Sequence, residues 1–427
     1  MRIRKAAERV KVRQVERTAL VLGAGMVGVS VALHLRRRGW DVVLVDRQGP
    51  GEGASFGNGG LIQREAVYPH PFPRALAELQ RIARNRAVDV VYHPLALPRI
   101  AAPLLRYWWH SAPERYARAV LGQSRLIATC LDEHMALARE AEATDLLRPI
   151  GWLQLYGTAE RLERARSRAE GSRREFGVNY VALDGPALAQ AEPHLLAQRA
   201  GAIHWTDPYS VSDPHALTLA YARLLTTQGG VIATGDARSL QQNASGWRVE
   251  TTDGPMAAAQ AVVALGAASK EVTQQFGYAP PLFGKRGYHM HYSLRGNAVL
   301  NRPLVDSDAG FGLIPMRRGI RLTTGVEFAR TNAPPSAVQL QRAEPIARAL
   351  LPLDRRVDEA PWMGVRPALP DMLPVIGRAP THDNLWCAFG HAHQGLTLGP
   401  STGRLLAEMM SGEAVFLDPE PYRPGRF

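Results

Sequence analysis

The stretch from Leu20 to Asp46, LVLGAGMVGVSVALHLRRRGWDVVLVD, constrains the fold more than any other part of the chain. A short apolar run, Ala19–Leu22, leads into Gly23-Ala24-Gly25-Met26-Val27-Gly28. A helical apolar pattern follows and ends at Arg36-Arg37-Arg38-Gly39. A second strand-like run, Val42–Val45, closes on Asp46. Strand, glycine turn, helix, strand and acid, in that order, form a dinucleotide-binding fingerprint in the context it requires. Gly23 allows the tight turn, Gly25 leaves room for backbone amides to approach a pyrophosphate, and Gly28 lets helix and strand pack closely. The helix opens at Met26 and Val27, with its positive end toward the phosphates. Asp46, followed by Arg47, lies 23 residues after Gly23. That is near the ~20 expected for a carboxylate that holds an adenosine ribose.

The same apolar run follows a basic N-terminus, so a leader or a membrane span must be weighed. Ala19–Leu35 is shorter than the ~20 residues a span needs. It carries three glycines at fingerprint spacing, and no small-residue cleavage site precedes the next strand. Neither reading is expected. With 427 residues, 46% hydrophobic and 21% charged, the chain has room for two domains and a large core. Cys130 and Cys387 are too few for a disulfide framework. They suit a reducing, cytoplasmic setting.

Net charge is +12, and arginine supplies nearly all of the basic residues; the only lysines are Lys5, Lys11, Lys270 and Lys285. The first 17 residues hold seven basic against two acidic groups and read as a basic extension. Nucleic acid is not expected as a partner, because the arginines are scattered and no binding motif accompanies them. Compositional bias with a solvated surface accounts for the charge; peripheral contact with anionic lipid on the inner face of the cell membrane, or attraction to an acidic partner, fits it as well.

Two glycine loops flank the fold. Pro50–Gly60 reads PGEGASFGNGG. Its Gly53–Gly57 segment matches the esterase elbow G-x-S-x-G, but it lacks the strand before and the helix directly after. A backbone-rich loop is expected instead, with Ser55, Asn58, Gly59, Gly60 and Leu61 touching phosphates or a flavin ring. The second loop, Phe389–Pro400, opens a C-terminal helix expected over Pro400–Met410. Two helix ends aimed at one cofactor suit an extended dinucleotide such as FAD. Histidine pairs at 289/291 and 391/393 could ligate zinc, but no third ligand is evident nearby, so no metal is expected. Between the loops, residues 70 to 195 read mainly as helices, including Arg115–Ala143 and Ala159–Phe176, and residues 285–330 as antiparallel strands. Strand–helix alternation at both ends around an antiparallel block implies a mixed α/β chain. A Rossmann-type FAD-binding domain (18–75, 200–282, 362–427) is interleaved with an antiparallel-sheet-plus-helices substrate domain (76–199, 283–361).

The fingerprint, SFGNGG at Ser55–Gly60, REFGV at Arg174–Val178, RGYH at Arg286–His289, WMGVRPALPDMLPVIG at Trp362–Gly377 and FGHAHQGLTLGP at Phe389–Pro400 occur in this order. Together they resemble the D-amino-acid oxidase/dehydrogenase superfamily of FAD enzymes over about residues 18–415, closest to bacterial D-amino-acid dehydrogenases with their D-hydroxyproline dehydrogenase branch. The resemblance implies non-covalent FAD and a D-amino-acid substrate, D-proline and cis-4-hydroxy-D-proline among the candidates, oxidised by hydride transfer from Cα. A membrane quinone is the acceptor it suggests. Arg366, in Gly364-Val365-Arg366-Pro367, would grip the substrate carboxylate; a planar guanidinium suits a bidentate grip. Tyr288 would line the pocket or pack in its strand, and His391 would line the pocket. Gly390, Gln394, Gly395, Leu396 and Thr397 would contact the flavin, with Ala264 and Gly266 beside the pyrophosphate. Ala392 stands where relatives often carry glycine, which restricts that position if it is left-handed. Other readings stay open: an oxidase of glycine, sarcosine or another N-alkyl amino acid using O2, an NAD(P)-dependent dehydrogenase, or a flavoprotein subunit without turnover of its own.

Overall fold

The protein is described here from a computed structural model covering residues 17–330 and 333–427; the basic extension up to residue 16 lies outside the described residues. A six-stranded sheet carries the fingerprint. Its order is Val231–Thr234, Asp41–Asp46, Thr18–Leu22, Gln260–Val263, Leu385–Phe389 and Val375–Arg378. All neighbours run parallel except the last pair. Ala19 to Leu22 and Ala261 to Val263 are fully buried, as continuous apolar runs in a parallel sheet covered on both faces must be.

Two helices meet over this sheet, the fingerprint helix Met26–Arg36 and the C-terminal helix Gly395–Ser411. They approach backbone to backbone. A Cβ at Gly399 would lie 2.7 Å from Met26 Cγ, and one at Gly403 2.6 Å from the Ser30 carbonyl. The two glycine loops foreseen in the sequence are thereby brought side by side.

The second sheet is larger and mostly antiparallel. Its spine is the long strand Phe283–Leu294, which pairs with Gly319–Thr323, Val326–Phe328, Leu353–Arg356 and Trp362–Ala368. One of its faces is closed by the helix Val338–Leu350, which shares a hydrophobic core with Tyr288, Met290 and Tyr292.

The fold departs from the sequence expectations in four places. Arg115–Ala143 is two helices, Pro113–Ile127 and Cys130–Glu140. The break falls at Thr129, whose hydroxyl lies 3.0 Å from that of Ser401 on the C-terminal helix. Residues 70 to 195 also hold the strands Trp152–Tyr156 and Tyr180–Asp184, whose pairing is long-range. Gly201–Trp205 and Trp362–Ala368, inside the segments expected for the cofactor domain, hydrogen-bond into the second sheet instead. The C-terminal helix starts at Gly395 and runs through Pro400. Proline cannot bond the carbonyl four residues back. The Leu396 carbonyl left open accepts from the buried His134 Nε2 at 2.7 Å.

Candidate cofactor and substrate site

The phosphate end of the site is built from local backbone geometry. Gly23 sits at φ +106, and a Cβ there would lie 2.5 Å from the Ala264 carbonyl oxygen. At Gly28 a Cβ would lie 1.8 Å from the Gly23 oxygen. These two glycines are required by close approach. Gly25 is different, because only Ser55 Oγ lies near its missing side chain, at 3.4 Å. Its open side leaves the space a pyrophosphate needs in front of the helix. Ser55 Oγ accepts from the Met26 amide at 3.0 Å, so this serine caps the helix rather than serving as a nucleophile. Asp46 accepts from the amides of Ala24 (2.8 Å) and Gln48 (3.0 Å), bracing the glycine turn. Arg47 beside it is exposed. Gly266, at φ +57, follows Ala264 past the same turn.

The loop at 55–61 joins the two helix ends. Asn58 Oδ1 accepts from the Gly60 amide at 2.9 Å, which spends that oxygen on the loop itself. Gly60 is left-handed at φ +67. Thr397 Oγ accepts from the Gln63 amide at 3.2 Å and donates to the Leu61 carbonyl at 3.3 Å. Gln394 donates to Gln63 Oε1 at 3.2 Å, while its own Oε1 is buried with no partner among the described residues. Buried polar atoms without partners are rare. This one belongs to the residue that caps the start of the C-terminal helix.

The arginine end of the candidate site is made by strand pairing. Lys285 stands directly opposite Arg366, Gly287 opposite Gly364, and His289 opposite Trp362. Directly opposed residues share a face. Arg366 lies across Gly287, where a Cβ would be 2.5 Å from Nη2. Its guanidinium donates to the carbonyls of Gly325 (2.6 Å) and Thr324 (3.2 Å). Desolvation lowers its pKa to about 10, so it stays charged at neutral pH. Around it stand Lys285, His70 and His393, none of which entered the sequence-based site. Lys285 Nζ lies 3.0 Å from the Tyr107 hydroxyl, 4.2 Å above that ring. Desolvation, and then Arg366, lower its pKa to about 7. The rings of His70 and His393 are 4.8 Å apart. Desolvation within the cleft, and then the charges of Lys285 and Arg366, lower His70 to about 4.

Two expected pocket residues lie elsewhere. Tyr288 is 2% exposed and sits on the opposite face of its strand, where its hydroxyl donates to Glu327 Oε2 at 2.5 Å. Alternation decides this, because Lys285, Gly287 and His289 face Arg366 and the even-numbered residues face the core. His391 is buried, 2.9 Å from the Thr402 hydroxyl, and burial lowers its pKa to about 3. His393 takes the place expected of it. Ala392 is indeed left-handed, at φ +49.

The expectation that no third metal ligand lies near the histidine pairs does not hold. Asp358 brings its carboxylate 2.6 Å from His291 Nδ1, within reach of His289. The cluster is nonetheless poor for a cation. Arg321 Nε donates to His291 Nε2 at 3.0 Å, and Arg318 pairs with Asp358 at 3.0 Å. Arg321 also donates to the Asn58 carbonyl, so the group ties the 55–61 loop to the long strand.

Glycine turns, two adjoining helix ends and an arginine at a sheet seam, with no acid partner among the described residues, make up the candidate site. The family model described as FAD dependent oxidoreductase matches residues 18–409, and the chain belongs to that family; its cofactor is FAD. A D-amino-acid oxidase of Bradyrhizobium diazoefficiens is 29% identical over 96% of this chain and 99% of its own length. A D-amino acid dehydrogenase of Methylobacterium radiotolerans is 30% identical over 96% and 99%. The solved glycine oxidase from Geobacillus kaustophilus has a TM-score of 0.73 at 21% identity, covering 96% of this chain and 98% of that one. That last likeness is one of fold.

Proposed function

We propose that this chain oxidises a D-amino acid at its Cα–N bond, with Arg366 holding the substrate carboxylate. Bound FAD supplies the acceptor for the hydride that leaves Cα. The observation that carries the reading is Arg366, fixed by two backbone carbonyls, with no carboxylate in salt-bridge range among the described residues. Its remaining donors are available to an anion, and fixing one end of the substrate orients Cα. The names of the relatives, at 29–30% identity, support the D-configuration. Anaerobic mixing of holoenzyme with a panel of D- and L-amino acids checks it: absorbance near 450 nm bleaches with D-isomers and persists with L-isomers. Loss of a charge-assisted grip in Arg366→Leu raises KM by about 10²-fold or more while FAD stays bound. Unchanged kinetics would overturn the assignment. Hydrogen peroxide formed at the rate of substrate loss would identify O2 as the acceptor.

For the acceptor we infer a quinone reached at an anionic membrane surface. No helix among the described residues is long and apolar enough to cross a membrane. The helix Leu97–His110 has no acidic residue, and Tyr107 is its only buried side chain. It exposes Leu105, Trp108 and Trp109 beside the exposed Arg99 and Arg106. Arg74 lies 4.2 Å over Trp108, and Arg115 3.8 Å over Trp109. Aromatic rings and arginines side by side suit a lipid headgroup layer. An apolar groove of about 500 Å³ runs here, lined by Phe72, Leu97, Ala101, Leu104, Leu105 and Trp108. Co-sedimentation with vesicles containing phosphatidylglycerol is the check. Wild type pellets, the Trp108→Ser/Trp109→Ser variant stays in solution, and equal partition of the two would refute the surface.

A further inference from the structure

Gripping one carboxylate with Arg366 leaves Lys285 unexplained. The two cations are direct cross-strand neighbours, a placement that sets Cβ atoms about 4.5–5.5 Å apart and makes like charges repel. Several half-buried arginines elsewhere pair with acids, Arg199 with Asp306 at 2.7 Å, Arg404 with Glu133 at 2.8 Å and Arg426 with Asp371 at 2.6 Å, and those that bond only carbonyls or a hydroxyl, such as Arg148, do not stand directly opposite a second basic residue on a paired strand. At this seam no carboxylate lies within 4.0 Å of Lys285 or Arg366 among the described residues. Their polar partners are two carbonyls and the Tyr107 hydroxyl. Two opposed basic groups without an acid can be completed by an anion, which would also hold the lysine in its protonated form.

The ammonium is held in place rather than loose. Tyr107 is 4% exposed, donates its hydroxyl proton to the His70 carbonyl, and accepts from Lys285. Its ring beneath Nζ adds a cation–π contact. One of three ammonium protons is thereby used, leaving two for a ligand. Lys285 and Arg366 are both only half-buried, so the cluster is open to a small molecule.

We propose that Lys285 seats a second substrate carboxylate, so that this chain acts on dicarboxylic D-amino acids, with the α-carboxylate on Arg366 and the distal one on Lys285. This deepens the amine-oxidation reading above and rests on it. It moves the substrate class away from the cyclic amino acids that the family resemblance suggested. Any bound anion here lowers the repulsion between the two cations, so a dianion gains more than a monoanion of the same size.

The test uses isosteric pairs on the FAD-loaded enzyme: D-aspartate against D-asparagine, and D-glutamate against D-glutamine. The wild type favours at least one acid over its amide by about 10-fold or more in kcat/KM. In Lys285→Met that ratio falls by about 10-fold or more, to near one, and Lys285→Arg restores the preference. A second readout needs no turnover: succinate raises the melting temperature of the wild type more than butyrate does, and Lys285→Met removes the difference. A wild type that prefers the amides or D-proline overturns the proposal. So does a Lys285→Met variant that loses acid and amide activity equally, which would mean that both cations share one carboxylate. Should no amino acid bleach the flavin while succinate still separates wild type from variant, the oxidation reading fails and the dicarboxylate seat stands.

Discussion

A methyl group at position 28 would sit 1.8 Å from the Gly23 oxygen, and one at position 287 would sit 2.5 Å from Arg366 Nη2. The two glycines keep different things apart, and their variants separate accordingly. Gly28→Val forces the fingerprint helix off its strand, and the purified protein is colourless. Gly287→Val leaves the phosphate end intact, so absorbance near 450 nm per protein is unchanged. It displaces the guanidinium instead, and KM rises by about 10-fold or more, read from steady-state kinetics. Both residues stand in the sequence inside recognisable motifs. What each glycine faces is not written there, because the atoms it makes room for come from a paired strand or a turn five residues back.

At the scale of the element, the C-terminal helix carries the clearest consequence. Pro400 removes one internal hydrogen bond, and His134 replaces it through the Leu396 carbonyl. His134 is fully buried, and its other ring nitrogen lies 3.1 Å from the Tyr221 hydroxyl. His134→Phe leaves that carbonyl unpaired at a cost of about 1–3 kcal/mol, visible as a melting point lower by a few degrees. In the His134→Phe/Pro400→Ala double variant the new amide at 400 can bond Leu396, so part of the loss returns. Additive effects in this cycle would show that the histidine and the proline are not coupled. The sequence placed this helix but began it at Pro400, since a proline reads as a helix start. In the five earlier residues the distant His134 supplies the bond that the Leu396 carbonyl loses to the proline.

For the whole molecule, buried titratable groups fix the pH range of stability. Burial holds His134 at about 4, His391 at about 3 and His289 at about 2, all below the ordinary 6.5. Bases with depressed folded pKa values contribute stability above about pH 6.5, lost as pH falls through the folded values. His134 alone accounts for on the order of 3 kcal/mol. Glu65 works in the other direction. Burial raises it from 4.5 to about 7, with Trp152 and Gln63 donating to it. Its contribution is present below about pH 4.5 and fades as pH rises past 7. Melting temperature is therefore expected to peak between these limits. Glu65→Gln flattens the decline from pH 6 to pH 8.5, whereas an unchanged slope in that variant would assign the decline to other groups.

The cofactor half was legible because its rules are local. Gly23, Gly25, Gly28 and Asp46 act within one strand–turn–helix–strand unit, where chain connectivity alone brings the groups together. Arg366 was legible as a motif. The partners of Arg366 were not, since Lys285 and His70 reach it only through strand register and loop packing between segments far apart in the chain. Tyr288 and His391 went astray for the same reason. A one-residue step along a strand reverses the face, and a one-turn change at a helix start swings a ring from cleft to core. The amino-acid order alone supplied the dinucleotide fingerprint, and the family match made the cofactor FAD. Pairing of residues 283–294 with 362–368 decided that Lys285 stands against Arg366, because opposed side chains share a face only when two strands fix their register.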